Sequence, residues 1–138
     1  MLVMSKERRS SLLEALESCG IDVLPVCDCN EARRMLEPRP LVQMVVVTDA
    51  VLHDGDWRRV LAMVAQGRRK IEVVVCSRLG DHNLWLDVLE QGGYDVLVEP
   101  YRHEEVRRIL EVAASRSYMR SPAQAISHKP KARAAVAG

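Results

Sequence analysis

Val45-Val46-Val47-Thr48-Asp49 and Val73-Val74-Val75-Cys76-Ser77 decide the fold. Both runs are rich in β-branched residues and neither alternates with polar positions, so each reads as a strand covered on both faces. That is the habit of strands in parallel sheets. Working outward, Leu2-Val3-Met4 is a shorter run of the same kind (β1). It is followed by a helical pattern (α1) in which Leu12, Leu13, Leu16 and Cys19 recur at spacings of three and four until Gly20. Residues 22–27 form a second strand candidate (β2), and residues 31–36 a short helix (α2) with Asn30 as its cap. Pro38 and Pro40 then break the chain before the strand at 44–48 (β3).

A helix over 57–66 (α3) places Val60, Leu61 and Val64 on one face, and residues 71–76 make the fourth strand (β4). A helix over 83–91 (α4) ends at Gly92-Gly93, residues 96–98 make β5, and residues 103–115 (α5) turn Val106, Ile109, Leu110 and Ala113 inward. Five βα units of this kind require a parallel sheet with helices on both faces. Right-handed crossovers favour the order 2-1-3-4-5, a flavodoxin-like (βα)5 three-layer α/β sandwich. Any ligand site is expected at the carboxyl ends of β1, β3 and β4.

The chain has 138 residues, of which 48% are hydrophobic, enough for one core without disulfides or metals. No apolar run approaches the length of a membrane span, and no signal-peptide pattern opens the chain, so a cytoplasmic protein without membrane contact is expected. Four cysteines, Cys19, Cys27, Cys29 and Cys76, read as reduced thiols. Cys27-Asp28-Cys29 has no second pair at zinc spacing, and no metal is expected there. Charge is distributed unevenly. Five of the 20 basic residues (Arg116, Arg120, Lys129, Lys131 and Arg133) lie from Arg116 onward with no acid among them, leaving 15 basic against 19 acidic residues before. A domain over 1–116 followed by a basic, disordered tail over 117–138 fits this pattern, and the tail offers at most weak phosphate contact with nucleic acid.

The order and spacing of Val45 to Asp56, Val73 to Arg78 and Gly92 to Tyr101 resemble the receiver domain of two-component response regulators. The resemblance covers about residues 1–115. It implies that Asp49 stands at the phosphoacceptor position, Ser77 at the hydroxyl that bonds the phosphoryl group, Ser5, Lys6 and Glu7 where two acids hold Mg²⁺, and Glu99 where a lysine pairs with the phosphoryl charge. Which of Lys6 and Glu7 takes the second acid's place is open, because the loop after β1 is short. Val96 stands at the aromatic switch position, His53 where proline is usual and Trp57 where glycine is usual. Without the resemblance, Asp49 would read as a turn former and Ser77 as a loop hydroxyl.

These departures imply a non-enzymatic signalling module that works through protein contact, with an impaired phosphorylation site and no cofactor. The alternatives are a receiver that accepts phosphate at Asp49, using Mg²⁺ held by Glu7, Asp54 or Asp56 under a sensor kinase, and a nucleic-acid-associated regulator that uses the tail. Two expectations concern geometry. With the site charges exchanged relative to the family, Lys6 is expected beside Asp49, Glu99 or both. On α4, Leu86 and Leu89 are expected to face the sheet, leaving Leu84, Trp85 and Val88 as an apolar patch on the α4-β5-α5 face for a partner or a second copy.

Overall fold

The computed structural model describes residues 1–36, 44–67, 69–116 and 118–119. A five-stranded parallel sheet runs through its centre in the order β2-β1-β3-β4-β5, formed by Leu2–Val3, Pro25–Val26, Val45–Asp49, Glu72–Ser77 and Asp95–Val98 for β1 to β5. The helices are α1 (Ser10–Ser18), α2 (Cys29–Leu36), α3 (Trp57–Ala65), α4 (His82–Glu90) and α5 (His103–Ser115). The order is the one expected from the apolar runs.

Alternation along the strands divides the core in two. Leu2, Met4, Val47, Val74, Cys76 and Leu97 point to one face and pack with α1 and α5 through Leu12, Leu16, Val106, Ile109 and Ala113. Val3, Val46, Val73 and Val75 point to the other and pack with α2, α3 and α4 through Ala32, Val60, Val64 and Val88. This period of two, buried on both sides, is why the strands lack polar positions.

Three local expectations are corrected. The second strand is only Pro25–Val26, because its neighbour β1 offers two residues for pairing. The α2 terminus is not capped by Asn30. The Asp28 carboxylate accepts from Glu31 N at 2.8 Å, and Asp54, from a loop 25 residues away, accepts from Cys29 N and Asn30 N at 2.9 and 3.0 Å. These bonds satisfy the amides left free at a helix start.

The third correction concerns α4. Val88 is fully buried and Leu84 packs against the same core, so the patch expected of Leu84, Trp85 and Val88 does not form. Leu89 is buried as expected, whereas Leu86 is only half-buried, and the inward side is completed by Val88 with Leu84 one turn before it. Gly93 explains how Val88 comes so close to the turn before β5: a Cβ there would lie 2.4 Å from Val88 Cγ1 and 3.0 Å from Val88 O. Gly92 supplies the positive φ, 98°, that ends the helix.

Beyond α5, Tyr118–Met119 pairs antiparallel with Arg69–Lys70. The rest of the expected tail, 120–138, and the Pro38 and Pro40 break lie outside the described residues. Among the described residues no helix is long and apolar enough to cross a membrane.

Candidate functional site

Asp49 closes β3, where its backbone is fixed by pairing with Cys76 of β4 and its side chain emerges at the carboxyl edge of the sheet. That side chain is 6% exposed. The loop after β1 turns back over it: Arg8 N and Arg9 N both bond Ser5 O at 3.2 Å, and the tight turn aims Arg8 at the strand ends. Arg8 Nε donates to Asp49 Oδ2 at 2.5 Å, and its terminal NH2 group donates to Asp49 Oδ1 at 3.2 Å. The same NH2 group lies 3.8 Å from Glu99 Oε1. A guanidinium fork thus grips both oxygens of a buried carboxylate and leans on a second, half-exposed one.

The cation expected from Lys6 is therefore supplied by Arg8. Lys6 is exposed and makes no ion pair with Asp49 or Glu99. Spacing alone could not assign it, since the turn at 5–9 decides which of its side chains folds inward. Burial works against the Arg8 charge, but the hydrogen bond and the charge of Asp49, then Glu99, outweigh it and hold the guanidinium pKa above its usual value.

Ser77 Oγ turns into its own loop, donating to Leu79 O at 2.9 Å and accepting from Leu79 N at 3.3 Å. Glu99 starts the next loop, held by Glu99 N to Ser77 O at 3.1 Å and followed by a cis peptide to Pro100. Behind the carboxylates lie the Cys76 thiol and Tyr101, whose buried hydroxyl has no well-formed hydrogen bond. Burial, then the charge of Asp49, raises the Cys76 pKa, and burial, then Cys76, raises that of Tyr101; both remain neutral. The floor of the site is thus uncharged.

A divalent ion of the Mg²⁺ class needs a near-octahedral set of oxygens, with waters and one or two carboxylates. This donor set does not fit it. Asp49 is doubly hydrogen-bonded to a guanidinium, Glu7 is exposed, and Ser5 offers its carbonyl to the turn amides. The carboxylates of Asp54 and Asp56 are turned to the starts of α2 and α3, where they accept from Cys29 N and Asn30 N and from Arg58 N at 3.0 Å.

On the neighbouring face, Trp85 is half-buried, stacks on His82 with ring centroids 5.8 Å apart, and donates from Nε1 to Asp95 at 3.3 Å. Val96 is half-buried against the α2/α3/α4 core.

No protein-family model matches the chain. The chemotaxis protein CheY of Listeria monocytogenes and that of Listeria innocua are each 27% identical over 70 residues, 51% of this chain and 59% of the relative. The matched part thus spans little more than half of those relatives. Among solved structures, a protein described as a response regulator of Chloroflexus aurantiacus superposes with a TM-score of 0.70 at 19% identity, covering 83% of this chain and 95% of that one. The receiver domain of a sensor histidine kinase from Pseudomonas aeruginosa, with a magnesium ion coordinated in its active-site cleft, gives 0.68 at 21% identity, covering 83% and 94%. At these identities the structures establish the fold. The chain therefore has the receiver fold of response regulators, the family that its sequence resembles.

Proposed function

We propose that the chain is a receiver-fold signalling module that works through protein contact and carries, in place of the metal-dependent phosphorylation site, an internal Arg8–Asp49 ion pair. The observation that supports this reading is the two-bond grip of Arg8 on a carboxylate that is 6% exposed. In such a site one guanidinium already offsets the charge of Asp49 and part of that of Glu99 without an ion from solution. A phosphoryl group on Asp49 would break both bonds and set a dianion near Glu99, with the Ser77 hydroxyl directed elsewhere. The modified state is disfavoured, and the loops are held in one arrangement.

The α4-β5-α5 face is the proposed contact surface, with Trp85 as its aromatic anchor, since half-buried aromatics carry much of an interface's energy. The partner is another protein or a second copy of the chain. Incubation with Mg²⁺ and a small phosphodonor, followed by intact-mass measurement, tests the site. No phosphoryl adduct is expected on the wild type, and an adduct that is lost in Asp49→Ala would favour a working phosphoacceptor instead. Sedimentation and partner capture with Trp85→Ala test the surface, and unchanged association would remove Trp85 from it.

A further inference from the structure

We infer that the loops after β2 and β3 build a binding site for one divalent first-row transition ion, Zn²⁺ in the first instance, from Asp28, His53 and Asp54. The site is separate from the Arg8–Asp49 pair and does not rest on the function proposed above.

One ligand atom from each of the three residues lies within 4.8 Å of the other two. Ligands around a tetrahedral ion with bonds of about 2.0–2.1 Å stand about 3.3 Å apart, so a contraction of the cluster completes the set. The piece that has to move is the most exposed one. The His53 side chain is 72% exposed, whereas Asp28 is 22% exposed and held by Glu31 N, and Asp54 is held by Cys29 N and Asn30 N. The backbone that carries His53 is itself fixed, since Val51–Leu52 pairs antiparallel with Gly55–Asp56 on either side of it.

His53 Nε2 and Asp28 Oδ2 are 2.8 Å apart and share one proton. A metal ion would take the place of that proton, bridging imidazole and carboxylate, with Asp54 as third ligand and water completing the shell. Each carboxylate oxygen bonded to an amide keeps a lone pair for the ion. Imidazole with carboxylates suits Zn²⁺, Co²⁺ and Ni²⁺, whereas Mg²⁺ and Ca²⁺ prefer all-oxygen shells. Opposing charge near the cluster comes from Arg59, whose guanidinium is tied to Asp54 O at 2.6 Å, and from the α2 amides. These weaken the site and make it one of moderate affinity. The Cys29 thiol lies close to Asp54, but burial and then Asp54 push its pKa up to about 11, so it does not compete as a thiolate at neutral pH.

The test is calorimetric titration of the full chain, without a polyhistidine tag, with ZnCl₂, NiCl₂ and MgCl₂, at two pH values and in buffers of differing ionisation heat. The expected result is one Zn²⁺ or Ni²⁺ per chain, proton release on binding, weaker binding at lower pH, and no Mg²⁺ binding. His53→Ala, whose folding is checked by circular dichroism, should lose at least about tenfold in affinity, the loss found even for outer-shell partners; His82→Ala should lose none. Co²⁺ should give a spectrum without a thiolate charge-transfer band. Absence of Zn²⁺ binding, equal affinity in His53→Ala, or a thiolate band from Cys27 or Cys29 would each overturn the assignment.

Discussion

Replacing Arg8 by alanine removes the only ion-pair partner that Asp49 has among the described residues. Breaking a fully buried pair costs about 3–5 kcal/mol, because a desolvated charge is left without compensation. Arg8 keeps 19% of its side-chain surface exposed, so water entering the gap offsets part of that cost. A loss of about 2–4 kcal/mol is expected, a large share of the roughly 5–15 kcal/mol that holds a domain together. Arg8→Lys keeps the charge and loses the fork, and should fall between wild type and Arg8→Ala. Asp49→Ala in the Arg8→Ala background removes the stranded carboxylate and should recover most of the loss, giving a coupling energy of about 1–3 kcal/mol. Urea unfolding followed by circular dichroism measures the wild type, Arg8→Ala, Asp49→Ala, the double variant and Arg8→Lys. A loss below about 0.5 kcal/mol in Arg8→Ala, the range of exposed ion pairs, or strict additivity in the double variant, would refute the claim that this pair holds the site.

Other outcomes follow from the same structure. The His53 pKa is raised above 6.5 by its bond to Asp28, and that of Asp28 is lowered below 3.8 by the Glu31 amide and then by His53. The bridge therefore contributes stability that is lost as pH falls through the Asp28 pKa and as it rises through that of folded His53. Metal-free wild type should exceed His53→Ala in stability most at about pH 5–6, and the gap should close towards pH 8; an imidazole titration by NMR at or below 6.5 would contradict this. Gly93→Ala should cost about 1–3 kcal/mol by overpacking Val88, read as a lowered urea midpoint. Lys70 and Glu72 form a buried pair at 2.8 Å. Replacing either alone by methionine should cost about 3–5 kcal/mol and replacing both much less, and thermal melts of the three variants would distinguish these outcomes.

The sheet was legible because burial on both faces leaves a mark on every residue of β3 and β4: a strand with no solvent side has no place for polar alternation. The position of Asp49 at a strand end was legible for the same reason. What the residue order could not show depended on the path of short loops or on partners distant in sequence. Arg8 rather than Lys6 reaches Asp49 because two amides fold onto Ser5 O, a choice made by a few backbone dihedrals. Asp54 caps a helix that begins 25 residues earlier, beyond any local pattern. The inward face of α4 is only partly legible, in Leu89, since nearly every residue from Leu84 to Leu89 is apolar, and the close approach at Gly93 brings Val88 inward as well. The pairing of His53 with Asp28 is likewise invisible in the residue order, as it joins loops 25 residues apart that follow β2 and β3, the two strands flanking β1.

Beryllofluoride with Mg²⁺, added to isotopically labelled protein and followed by NMR, probes the proposed Arg8–Asp49 site directly. The resonances of Asp49, Ser77 and β5 are expected to stay in place for the wild type. Mg²⁺-dependent shifts that spread from Asp49 through Ser77 into Val96 and Val98 would contradict this and make the chain a switchable receiver.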